Sequence, residues 1–226
     1  MPGEPVEMEA ERLERLKKGA SRGMSPRYRI FRHFMRALGW LLFGLTVHGA
    51  EKVPKEGPLI VASNHRWYAD PFLVGMAMPR KVQWMAKKEL FVFPFEKFFY
   101  LIGSFPVDRN KSARAALKTA LELLAAGWAL GIFPEGTRRK THNSEDTPKS
   151  GVAMLAARSG APILPVFVDK APNPLERLQG RRLHIYFGNP ITLDNTKGER
   201  QARREVAGEV LRAIYGLRDE QSGVAS

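Results

Sequence analysis

A histidine stands five positions ahead of an aspartate in Asn-His-Arg-Trp-Tyr-Ala-Asp-Pro, residues 64–71. Farther along, directly after a short apolar run, comes Phe-Pro-Glu-Gly-Thr-Arg-Arg, residues 133–139. A carboxylate that binds one ring nitrogen of an imidazole leaves the other nitrogen free to take a proton from a hydroxyl. In the second block, Gly136 permits positive φ or close backbone approach, and Thr137 offers a hydroxyl. Arg138 or Arg139 can grip a phosphate with two parallel hydrogen bonds. A base, its carboxylate partner and an anion loop together suit transfer of an acyl group onto a phosphate-bearing alcohol. No Ser or Cys is placed as a nucleophile, so no covalent intermediate is expected.

Spacing constrains how His65 and Asp70 can meet. On one regular helix, residues five apart are separated by ~140° around the axis and point away from each other. They meet only if the chain turns between them, and the sequence supplies the turn: the apolar run Pro58–Ser63 ends just before, and Asp70-Pro71 opens a helix-like stretch. The same residues also fit a plainer reading, in which Asp70 caps the helix ahead of Pro71 and His65 is a loop residue.

The elements that must position these groups alternate. Strand-type runs cover Pro58–Ser63, Val82–Ala86, Ser104–Val107, Ala129–Phe133, Ile163–Val168 and Leu183–Phe187. Helix-like stretches cover Pro71–Met78, Lys88–Ile102 with a break at Pro94, Ser112–Ala126, Ser150–Arg158 and Gly198–Tyr215. The pattern predicts an α/β fold with a largely parallel central sheet flanked by helices. Cations follow several of the strands: Lys87 and Lys88 after the second, Arg109 in Gly-Ser-Phe-Pro-Val-Asp-Arg (103–109) after the third. On a parallel sheet they converge on the carboxyl ends of the strands, where open α/β sheets bind ligands. Taken singly, each is an ordinary surface charge.

The formal net charge of the 226 residues is +13, which favours anionic partners. A segment over Arg27–Val47 places Arg29, Arg32 and Arg36 at helical steps among Ile30, Phe34, Leu38, Trp40 and Leu41. It reads either as a helix lying at a membrane interface, with cations at lipid phosphates, or as a helix packed on the core. Its longest nearly charge-free run, Ala37–Val47, is far shorter than the ~20 residues that span a bilayer. The start, Met-Pro-Gly-Glu-Pro-Val-Glu, lacks the basic region of a signal peptide. There is no Cys, and the five His residues are scattered, so neither a disulfide nor a protein-held metal is expected. No nucleic-acid-binding motif is visible. The expected organisation is a tail and membrane-associating helices over 1–46, a catalytic domain over 47–217 and a flexible tail over 218–226.

Four ordered blocks carry a family resemblance: Asn-His-x₄-Asp-Pro, Gly-x-Phe-x-Val-Asp-Arg, Phe-Pro-Glu-Gly-Thr-Arg and Ile-Leu-Pro-Val (163–166). Together they resemble the glycerolipid acyltransferases, most of all the bacterial 1-acylglycerol-3-phosphate O-acyltransferases. The resemblance implies His65 and Asp70 as base and partner. It implies Arg109, Glu135, Gly136, Thr137 and Arg138 as the acceptor site, with Lys87 as a further phosphate contact. It also implies acyl-CoA or acyl carrier protein as donor, lysophosphatidic acid as acceptor and no cofactor. The expected location is peripheral or monotopic, on an anionic membrane surface at the cytoplasmic face of the cell membrane, with no nucleic-acid partner. Other lysophospholipid or amino-lipid acceptors fit the same blocks, and a non-catalytic basic membrane-binding module is the remaining reading. One position departs from the family pattern: Trp67 stands where many relatives carry Ser.

Overall fold

The computed structural model describes Glu14 and residues 25–92, 94–107, 113–136, 150–193 and 200–222. The charged stretch 7–18, which reads in sequence as a short helix, and the polar stretch 141–149, which reads as an insert, lie outside these, apart from Glu14 itself. The strands are β1 (Thr46–His48), β2 (Leu59–Ser63), β3 (Val82–Lys87), β4 (Ser104–Val107), β5 (Ala129–Ile132), β6 (Ile163–Val168) and β7 (His184–Phe187). The helices are α1 (Pro26–Phe43), α2 (Asp70–Ala77), α3 (Glu96–Leu101), α4 (Ala113–Ala125), α5 (Gly151–Ser159), α6 (Pro174–Leu178) and α7 (Arg200–Ser222).

The fold is α/β. One seven-stranded sheet runs in the order β1-β7-β6-β2-β5-β3-β4. Strands β6, β2, β5, β3 and β4 are mutually parallel, whereas β7 pairs antiparallel with β6 and carries β1 beside it. Every residue of β2 and β6 is buried, the unbroken apolar run that a parallel strand covered on both faces requires. Residues alternate between two cores. Ile60, Ala62 and Leu130 face α4, α5 and α7, while Leu59, Val61 and Trp84 face α2 and the inner side of α1.

The first helix ends earlier than its sequence pattern predicts. Gly44, at φ 63, returns its N–H to the carbonyl of Trp40, so α1 stops at Phe43 and Thr46–His48 becomes an edge strand rather than helix. Neither reading of α1 excludes the other. Tyr28, Met35, Gly39 and Phe43 turn toward the core, while Ile30, Phe34, Trp40, Leu41 and Leu42 stay exposed. The expected basic stripe is divided. Arg32 turns inward and donates from Nη1 to the carbonyl of Met78 at 2.9 Å, placing a cation on the carboxyl end of α2. Arg29 and Arg36 remain outside. Among the described residues, no helix is long and apolar enough to cross a membrane. At the other end of the chain, α7 continues to Ser222, past residue 217.

Gly131 makes a close contact within the sheet. It pairs with Trp84 of β3, and a Cβ built on it would fall 2.3 Å from the indole ring. Gly131→Ala should therefore force Trp84 aside at a cost of about 1–3 kcal/mol. Denaturant unfolding reads this directly, and an unchanged midpoint would contradict it.

Candidate active site

Strand β2 ends at Ser63, and the chain turns before α2 begins at Asp70. The turn is pinned at its base by Asn64. This buried side chain accepts the N–H of Val168 at 2.8 Å and donates to the carbonyl of Val168 at 2.9 Å. In effect Asn64 continues the β2–β6 ladder by one side chain, fixing where the next residue emerges.

That next residue is His65. Its Nδ1 lies 3.0 Å from Oδ2 of Asp70, with side-chain exposures of 17% and 3%. The same oxygen accepts the backbone N–H groups of Arg66 at 2.6 Å and Trp67 at 2.7 Å. An oxygen facing two amide donors has no room for a proton of its own, so Nδ1 of His65 is the donor of the third bond. His65 Nε2 takes no partner among the described residues. The plainer reading of Asp70 as a helix cap fails on geometry: the capping position is Ala69, with no side-chain hydrogen bond, and Asp70 reaches backward into the turn.

The His65 ring is also held from the side. It stacks on Phe133, with centroids 3.9 Å apart and planes 14° from parallel, and Phe133 stacks on Trp84 at 5.0 Å. The file of rings runs from β3 across the end of β5 to the turn after β2. Gly131 provides the space in which Trp84 lies.

The Pro-Glu-Gly turn sits at the carboxyl end of β5, the neighbour of β2. Gly136 adopts φ 69 and returns its N–H to the carbonyl of Phe133 at 2.9 Å; a side chain here would strain the turn. The carboxylate of Glu135 is buried and accepts the hydroxyl of Tyr215 at 2.5 Å. It faces α7, so Glu135 braces the turn against that helix. Lys87 closes β3 and is exposed at the same end of the sheet. His65, Asp70, Glu135, Gly136 and Lys87 thus share one rim, while Arg109, Thr137 and Arg138 lie outside the described residues. A cavity of about 250 Å³, lined partly by His48, Lys52 and Tyr186, lies on the far edge of the sheet and contains none of these groups. Among the described residues, no three His, Asp or Glu side chains are grouped to hold a metal ion.

Four contributors were not evident from sequence. The roles of Asn64, Trp84 and Phe133 depend on which strands are neighbours. Tyr215 lies 80 positions from Glu135, and no local pattern marks it. For the first three a signal was present, since each sits in or beside a strand that ends at the rim.

Residues 44–169 match the family model described as Acyltransferase. The 1-acyl-sn-glycerol-3-phosphate acyltransferase of Bacillus subtilis (strain 168) is 30% identical over 167 residues, spanning 73% of this chain and 82% of the relative. That of Streptococcus pneumoniae is 28% identical over 204 residues, spanning 86% and 75%. The crystal structure of the 1-acyl-sn-glycerophosphate acyltransferase of Thermotoga maritima superposes with a TM-score of 0.61 at 23% identity, covering 92% of this chain and 79% of that one. This last likeness is one of fold.

The hydrogen bonding around Oδ2 leads to a specific expectation. In Asp70→Asn the amide oxygen can still receive the turn's N–H groups, but the charge that favours an imidazolium is gone. Turnover should fall by about 10²-fold or more, while the thermal midpoint moves little. Equal losses in both would make Asp70 a structural residue only.

Proposed function

The chain belongs to the acyltransferase family, and from that premise we propose that it moves a fatty acyl group from acyl-CoA or acyl carrier protein to the sn-2 hydroxyl of 1-acylglycerol-3-phosphate, giving phosphatidic acid. The observation that carries the mechanism is the unequal fate of the two His65 nitrogens. Nδ1 is committed to Asp70, and Nε2, at the rim where the strands end, takes no partner among the described residues. The names of the relatives support the substrate.

In this reading the sn-2 oxygen gives its proton to Nε2 as it bonds to the thioester carbonyl carbon. The tetrahedral intermediate expels the thiolate, and the proton on Nε2 passes to the sulfur. Asp70 stabilises the imidazolium in between. General-base help of this kind is worth ~10² to 10⁴-fold in rate. Phe133 and Trp84 keep the ring from rotating, so the nitrogen stays aimed as the acceptor arrives.

The acceptor phosphate is assigned to Arg109, Arg138 and Lys87, with Thr137 and the backbone of Gly136 completing the anion loop. Glu135 contributes through Tyr215, by holding that loop's root. The substrate and product are bilayer lipids, so the exposed stripe of α1 is assigned to an anionic membrane surface, at the cytoplasmic face of the cell membrane. Ile30, Phe34 and Trp40 lie in the headgroup boundary, and Arg29 and Arg36 at the phosphates. The reading as a non-catalytic binding module is set aside, because the family is one of enzymes.

A thiol-release assay crossing donors with acceptors tests the proposal. Lysophosphatidic acid should turn over, and monoacylglycerol, which lacks the phosphate, should be slower by at least ~10²-fold, because the phosphate orients the nucleophile. His65→Ala should abolish release with an unchanged circular dichroism spectrum. A His65→Ala enzyme with near-normal rate would overturn the mechanism; indifference to the phosphate would overturn the acceptor.

A further inference from the structure

Between β6 and β7 the chain makes an excursion, residues 169–183, that the proposed chemistry does not use. At its centre is α6. Although only five residues long, it is firmly built: Asn173 and Glu176 form a reciprocal capping box, and Glu176 Oε1 lies 3.1 Å from both Lys170 Nζ and Arg181 Nη1. Such a helix has a fixed orientation, and it points two leucines at solvent. Leu175 is 65% and Leu178 85% exposed, three positions apart and therefore on one face.

The excursion is also basic. Between residues 169 and 183 stand Lys170, Arg177, Arg181 and Arg182 against two carboxylates, Asp169 and Glu176. Its location follows from the strands it joins. It leaves the carboxyl end of β6 and returns at the start of β7, the end of the sheet at which His65 emerges. There it meets α1. The N–H of Leu183 donates to the carbonyl of Phe43. A Cβ built on Gly44 would lie 3.0 Å from Arg182 Cγ and 3.2 Å from Arg177 Cζ. The last turn of α1 carries no basic residue of its own, and these two arginines lie against it instead. Trp40, Leu41 and Leu42 are exposed on that same last part of α1.

We infer that the α6 turn is a second membrane contact: Leu175 and Leu178 enter the acyl-chain boundary of a bilayer, while Lys170, Arg181 and Arg182 lie at the phosphates of anionic lipid headgroups. The occupant follows from charge and shape. Three cations beside two exposed leucines complement an anionic lipid surface, next to the end of α1 at which Trp40, Leu41 and Leu42 are exposed. Two contacts at different places on the molecule fix its tilt on the membrane, which one helix alone does not. The inference rests on the proposed lipid substrate and on docking through α1.

Because the chain has no cysteine, single sites can be labelled cleanly. Leu178→Cys and Phe34→Cys, each carrying an environment-sensitive nitrobenzoxadiazole dye, are mixed with vesicles of phosphatidylcholine alone or with phosphatidylglycerol. Both labels should brighten several-fold and shift to the blue on the anionic vesicles. A response from Phe34→Cys with none from Leu178→Cys would overturn the α6 contact and leave docking through α1 standing. Silence from both would overturn docking altogether, and the α6 contact with it. A Leu178→Cys response to an acidic carrier protein, with none to vesicles, would also overturn it. In the unlabelled full chain, Leu175→Glu with Leu178→Glu should lower the vesicle-bound fraction severalfold without moving the unfolding midpoint; unchanged binding would contradict the contact.

Discussion

One carboxylate oxygen organises the end of the sheet at which His65 emerges. Oδ2 of Asp70 draws together the N–H groups of Arg66 and Trp67 and the imidazole of His65. It closes the strand-to-helix turn and orients the imidazole with the same atom. Charge-assisted bonds to a buried carboxylate are the strong ones, and here they replace the ordinary cap of α2. The helix start is left without a side-chain cap; Asp70 faces the turn instead, and Pro71 has no N–H to satisfy. Remove the oxygen and the turn loses its centre.

Around that centre the sheet supplies rigidity from both faces. On the α2 side, Trp84 and Phe133 back the imidazole, and the file fits only because residue 131 has no side chain. On the α7 side, Tyr215 holds Glu135 and with it the Gly136 turn. Asn64 extends the β2–β6 pairing beneath both. Each is a packing or hydrogen-bonding device, and together they set the position of a single nitrogen, Nε2.

Much of this was legible in the residues. Strands buried on both faces appear as unbroken apolar runs, so β2 and β6 are plain. The five-residue spacing of His65 and Asp70 demands a turn, and the apolar run before it shows where. The elements that were not legible are short or depend on distant partners. Thr46–His48 is an edge strand whose pairing with β7 is visible only once the sheet exists, and it follows a helical pattern that Gly44 cuts short. The α6 turn is too brief for periodicity to mark. Arg32 looks like its neighbours Arg29 and Arg36 in sequence, yet a carbonyl at the end of α2 draws it inward. The carboxylate of Glu135 shows the same limit: its motif marks it as important, but only α7 shows which way it faces.

The proposed role of His65 depends on its tautomer, which Asp70 imposes. Nitrogen-15 spectroscopy of the histidine side chains reads it without substrate, with His65→Ala identifying the resonances. In its neutral form His65 should carry its proton on Nδ1, shifted far downfield by the carboxylate, with Nε2 bare. A His65 found with its proton on Nε2 would contradict it, because that nitrogen could not then accept the proton of an attacking hydroxyl.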